Sequence, residues 1–231
     1  MKEIKFYPTS KDASLVVPEP KPAKEYLQNW YKDKKIFHGN KPVYEDGRIK
    51  NTSIKACMPF YDAMISGYIQ ETWCDIHIQT NSNGFIEYNF SGFPQIMRHR
   101  ENSSINMGTH FHEIEFIWHT AWLPKLPKGY SLLFTSPNNF LLPFKTLSGI
   151  IDSDVFYHTY EGNIPFYLDI DFSGVIPAGT PMYQMIPIKR DNWKRSIEKW
   201  DEDLMKQRTG IRMRKFLGLY KNYFHIKKKY S

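Results

Sequence analysis

The chain has 231 residues, 41% of them hydrophobic and 16% aromatic, which supplies ample material for a core and excludes a disordered protein. Two cysteines, Cys57 and Cys74, lack C-x-x-C spacing and cannot make a structural zinc site by themselves, and no apolar run approaches the ~18 residues of a membrane span. The net charge of +7 is uneven: 204–231 carries nine Lys or Arg and no acid, which leaves 22 basic against 24 acidic residues in the rest.

The first residues, MKEIKFYPTSKD, contain no apolar h-region, so no secretion signal is read and a soluble protein with reduced thiols is expected. Residues 1–24 read as an extended arm, because Pro18, Pro20 and Pro22 favour polyproline geometry. Residues 24–33 predict a short helix with Tyr26, Leu27, Trp30 and Tyr31 on one side, docking onto a core. A one- or two-turn helix is predicted between Pro59 and Gly67. A strand over 68–79, a turn at Asn81-Ser82-Asn83-Gly84 and a strand over 85–90 follow as a hairpin. Residues 98–108 read as a polar loop.

Alternation over 110–119 predicts a strand with His110, His112, Ile114, Phe116 and Trp118 on one face. The stretch 126–190 consists of short apolar runs closed by Gly, Pro, Asn or Asp, the pattern of successive strands. Gly129, Gly149 and Gly179 sit at strand edges, where positive φ or close approach suits glycine. From Asp191, a candidate N-cap, the period turns helical: Trp193, Ile197, Trp200 and Leu204 fall at i, i+4, i+7 and i+11. Thr209-Gly210 reads as a break before a second helix bearing Met213, Phe216, Leu217, Tyr220 and Phe224 on its apolar side.

Three constellations are candidates for chemistry. His110 and His112, two apart on a strand, point the same way and could share a transition metal in a cupin-like site, although Glu113 and Glu115 lie on the opposite face. Asp152 and Asp154, in a turn after Gly149-Ile150-Ile151, could activate water or hold Mg²⁺; the alternative is an Asx turn in which they cap backbone N–H groups. The basic end, with Arg212, Arg214, Lys215 and the aromatics Phe216, Tyr220 and Phe224, is a candidate partner-binding surface. There a solvated basic face with a buried aromatic stripe is expected, and a protein partner is favoured over nucleic acid.

The segment 57–67, Pro127-Lys128-Gly129-Tyr130-Ser131, the run 149–154, and Gly179-Thr180-Pro181 through Gln184 to Arg190 resemble, in the same order, an uncharacterised domain family of tailed-phage and marine bacterial proteins. More distantly, Gly149-Ile150-Ile151-Asp152-Ser153-Asp154 and the later strand resemble two consecutive motifs of trimeric dUTPases. That resemblance implies a β-clip fold, with Asp152 in the place of the water-activating base and Gly179 and Gln184 in the later nucleotide motif. Val155 stands where that family has its deoxyribose-stacking Tyr, and Ser136-Pro137-Asn138-Asn139 stands where it has Pro-Arg-Ser.

The expectation is therefore a mainly β protein, either a β-clip or a related sandwich or barrel. It has an arm with a short helix over 1–44, a β-rich core over 45–190 and a basic helical extension over 191–231. The expected function is a non-enzymatic phage-type protein, a virion or assembly component or interaction module, oligomeric, without cofactor or membrane, and located in the host cytoplasm or the virion. The alternatives are a nucleotide-binding or nucleotide-hydrolysing enzyme and a metal-dependent cupin-like enzyme.

Overall fold

The computed structural model describes residues 2–46, 48–80, 86–100, 105, 107–157, 162–214 and 218–231. It is mainly β, built from several antiparallel sheets with few helices. The chain divides into two units, each assembled from distant segments: one holds 1–26, 66–190 and 230–231, the other 27–65 and 191–229. The three consecutive segments expected from sequence are thus redistributed, with 27–44 joining the C-terminal residues in one unit.

In the first unit, a five-stranded sheet runs in the order Gly149–Ile151, Tyr130–Thr135, Pro181–Lys189, Tyr68–Glu71, Lys21–Pro22. A four-stranded sheet runs Phe144–Thr146, Asn163–Leu168, Glu115–His119, Met97–Arg100. A third joins Gly174–Ile176, Ile76–Thr80 and Ile86–Phe90, and Lys5–Pro8 pairs with Trp122–Lys125. No sheet among the described residues closes into a barrel.

Most apolar residues of these strands meet in one core, and Trp122 packs with Ala13, Val17 and Ala121 in a smaller one. Trp118 stacks on Phe166 with ring centroids 3.6 Å apart, and Phe144 meets both edge-on. Burying an indole N–H requires an acceptor. Here Trp118 Nε1 donates to Thr146 Oγ1 at 3.1 Å, which in turn donates to the Met182 carbonyl at 2.7 Å. At Gly67, φ is +75° and an added Cβ would lie 1.9 Å from the Met185 carbonyl oxygen, so only glycine allows the helix before it to turn into the sheet. That helix, Met58–Ile65, is the one predicted between Pro59 and Gly67.

In the second unit, Tyr31 is buried and stacks on Tyr61, while Trp30 packs edge-on to Phe60 but stays 45% exposed, so of the expected cluster of Tyr26, Leu27, Trp30 and Tyr31 it is Tyr31 that docks. Lys55 ties it down, donating to the Tyr31 and Lys32 carbonyls at 2.7 and 3.1 Å with its ammonium over the Tyr31 ring.

Several expectations are corrected. The arm is not wholly extended: Lys11–Val16 is helical, because the Ser10 hydroxyl caps it by accepting from Ala13 N at 3.0 Å. The helix over 24–33 is instead a 3₁₀ turn, Ala23–Tyr26, and a single α turn, Asn29–Lys32. The strand over 68–79 is two strands in different sheets. Thr72 and Asp75 interrupt it by binding the 177–180 turn: Thr72 Oγ1 donates to the Pro177 carbonyl at 2.7 Å, and Asp75 accepts from Ala178 N at 2.8 Å. The predicted hairpin pairs Ile76–Thr80 with Ile86–Phe90; its turn, 81–84, and Phe85 lie outside the described residues. Within 98–108, Arg98, His99 and Arg100 belong to a strand paired with Glu115–His119 rather than to a loop. Gly129 and Gly179 have φ of +85° and +84°, but Gly149 is an ordinary strand residue.

The helical C-terminus differs most. Residues 191–201 form no helix, and the helix Glu202–Arg214 begins where Asp201 Oδ1 caps Leu204 N at 2.9 Å. It also runs through Thr209-Gly210, where the Thr209 hydroxyl bonds back to the Met205 carbonyl at 2.9 Å. One interior glycine costs only about 1 kcal/mol, too little to end a helix.

Candidate functional site

The turn bearing Asp152 and Asp154 follows the edge strand Gly149–Ile151, which pairs with Tyr130–Thr135, which pairs with Pro181–Lys189. This register sets Leu132 beside Ile151 and Tyr130 beside Lys189, so the end of one strand, the start of the next and the residue after the third converge. That last residue is Arg190. Its Nη1 donates to Asp152 Oδ1 at 3.0 Å and Asp154 Oδ1 at 2.8 Å, and its Nη2 contacts Asp154 Oδ2. Ser131 Oγ donates to Asp152 Oδ1 at 2.6 Å and Gly129 N to Asp154 Oδ2 at 2.8 Å.

The environment separates the two carboxylates. The Asp154 side chain is 2% exposed and that of Asp152 56%. The Arg190 guanidinium, with the Gly129 N–H, pulls the Asp154 carboxyl down to about 2. The Ser131 hydroxyl and then Arg190 hold Asp152 below the usual carboxylate range. Both carboxyls are thus held as anions by their partners. The chemistry this arrangement performs is bracing: one guanidinium joins three strand ends. Val155, in the stacking tyrosine's place, is exposed.

Gln184 sits elsewhere. It is fully buried opposite Thr135, whereas Ser131, which contacts Asp152, lies opposite Ile188 on the same strand pair. Its Nε2 donates to the Ser66 carbonyl at 2.5 Å, and its Oε1 accepts from Asn138 N and Nδ2 at 2.8 and 3.0 Å. Gly179 is in the turn clasped by Thr72, its N–H donating to the Thr72 carbonyl at 2.8 Å. Asp152, Gly179 and Gln184 therefore serve three separate backbone junctions.

The regular strand begins at Glu115, and His110 and His112 flank Phe111, which makes an isolated antiparallel bridge to Asp169. His110 is exposed in a turn; His112 is buried, and burial lowers its pKa. No group of three His, Cys, Asp or Glu among the described residues is placed to hold a metal ion.

At the C-terminal end, Arg212 and Arg214 lie in the last turn of the helix Glu202–Arg214, and Lys215 and Phe216 lie outside the described residues. Tyr220 and Phe224 belong to a single π turn, Tyr220–Phe224, and are exposed, so the expected buried aromatic stripe is corrected. Polar contacts anchor this segment instead. Asp62, buried in the helix Met58–Ile65, accepts from His225 Nε2 at 3.1 Å and from Lys228 Nζ at 2.5 Å. Burial alone would raise the Asp62 pKa, but the Lys228 and His225 contacts bring it below its ordinary value. The available sequence signal was a lone carboxylate in the apolar run Met58-Pro59-Phe60-Tyr61-Asp62-Ala63-Met64-Ile65, which needs a cation if buried.

Several highly exposed large apolar side chains lie just before the helix Glu202–Arg214. Trp193 is 90% exposed, Ile197 79% and Trp200 77%, and Leu204 in the first helical turn is 53%. Solvent-exposed apolar residues are ordinary one at a time, but these four within twelve residues concentrate apolar surface on one short segment.

No family model matches the chain, and a comparison with curated proteins finds no match. No helix among the described residues is long and apolar enough to cross a membrane.

Proposed function

We propose that this chain is a non-catalytic, contact-making phage-type protein, a virion or assembly component or an interaction module. The observation that carries this reading is the exposed row Trp193, Ile197 and Trp200. Fully burying one such side chain is worth about 1.5–3 kcal/mol, so the row in water forgoes several kcal/mol that a partner would recover. The carboxylate turn supports the same reading from the other side, since Arg190 and Ser131 already engage the groups a hydrolase would need.

A photo-crosslinking residue in place of Trp193 tests this, in the purified protein and in cells that naturally produce it. The expected result is one discrete adduct that is lost when Ile197→Asp is added. Absence of any adduct in both settings overturns the reading.

A further inference from the structure

Resting on that contact-making reading, we infer that the occupant of the exposed row is the same row of a second copy, the two pairing as parallel helices over 192–214. Trp193, Ile197, Trp200, Leu204 and Ile211 all have exposed side chains, and their spacing is 4, 3, 4 and 7. This is the alternation of a heptad seam: Ile197, Leu204 and Ile211 take one core position, Trp193, Trp200 and Gln207 the other. The pattern crosses the observed helix boundary. Leu204, Gln207 and Ile211 already lie in the helix Glu202–Arg214, and the three preceding members are in phase with them across the non-helical 191–201.

A groove on an unrelated protein would require only the two indoles and Ile197. A second copy also accounts for the continuation to Ile211, because it presents the same seam at the same positions. Ile197 and Ile211 place β-branched residues at the first position, the choice found in parallel two-stranded coils. The flanking charges agree with that choice. In a parallel pair Asp203 of each helix faces Arg208 of the other, Ser196 faces Asp201, and no like charges meet.

The present helix start is easily given up. Asp201 caps it through one 2.9 Å bond to Leu204 N, and Asp191 or Asn192 can cap the longer helix in its place. An isolated helix of this length is marginal in water, so the segment stays unwound until the seam is covered.

Sedimentation analysis of the full chain over a concentration series, read with far-UV circular dichroism, tests the pairing. The expected result is a dimer of twice 27.4 kDa whose helical signal rises with association. Ile197→Asp with Leu204→Asp should give a monomer whose far-UV helical signal no longer depends on concentration. Asp203→Arg should weaken the dimer at least about tenfold, and Arg208→Asp added to it should restore it. A monomer at every concentration, or a dimer indifferent to these substitutions, overturns the pairing. If the chain stays monomeric while the Trp193 crosslinker captures a different protein, the second copy is wrong and the contact-making function stands. If the crosslinker captures nothing, both fail.

Discussion

Arg190 and Asp154 form a two-point fork in which the carboxylate is nearly sealed from solvent while the guanidinium remains part-exposed. Because Arg190 also reaches Asp152 and the Tyr130 carbonyl, the pair fixes the corner where three strands of the largest sheet meet.

This fork gives the protein an acid-sensitive corner. The Asp154 pKa is held at about 2 in the folded state, below the value near 4 of an unfolded chain. Its contribution is therefore complete above about pH 4 and is lost as pH falls towards 2. Asp154→Asn should lower the melting temperature at pH 7 and flatten the wild-type fall in stability over that interval. Thermal unfolding at stepped pH measures both.

Nucleotide hydrolysis is expected to be absent. With Mg²⁺ and each common nucleoside triphosphate, including dUTP, the protein should release no phosphate or pyrophosphate above background, and Asp152→Asn should change nothing. Turnover that disappears in Asp152→Asn would reinstate the dUTPase-like alternative.

Gly67→Ala should be among the most damaging single substitutions. It places a Cβ 1.9 Å from the Met185 carbonyl oxygen at a φ of +75°. A loss of at least about 2 kcal/mol is expected in urea unfolding, because backbone rather than a flexible side chain must move.

The Asp62 anchor predicts a local effect. A hydrogen bond to a charged group is worth about 1.5–3 kcal/mol, so Asp62→Ala should raise opening of the 225–229 segment roughly tenfold or more. Tryptic cleavage at Lys227, Lys228 and Lys229 should accelerate by that factor while the sheets stay intact. Since the folded Asp62 pKa is depressed, the anchor holds above the unfolded carboxylate pKa and weakens as pH falls through the folded value. Equal cleavage rates in wild type and variant would dismiss it.

Nucleic acid is expected to bind weakly. Labelled single- and double-stranded DNA and RNA should show no submicromolar binding at physiological salt. Tight binding with a steep salt slope, abolished by Arg212→Ala, Arg214→Ala and Lys215→Ala together, would favour a phosphate partner over a protein one.

Local patterns were readable in the sequence and distant pairings were not. Alternation in Ile76–Thr80 and Ile86–Phe90 gave the hairpin, and Pro59 with Gly67 bracketed a helix, because each signal lies within a few residues. The Asp152-Ser153-Asp154 turn was equally visible. Its partner Arg190 was not, since only the register of Tyr130–Thr135 against Pro181–Lys189 brings them together. The helical spacing of Trp193, Ile197, Trp200 and Leu204 does not make a helix over 191–201: periodicity records which face a helix would bury, not whether anything is there to bury it. The strand expected over 110–119 is shorter for a related reason, as alternation does not fix where regular pairing begins.

Because Asp62 and His225 are 163 positions apart, a ribosome exposes the helix Met58–Ile65 long before it makes the cations that neutralise its carboxylate. Vectorial synthesis thus leaves the discontinuous unit unfinished while the intervening strands are already able to pair. A nascent or prematurely terminated product would carry sheets but lack the closing segment and the heptad row.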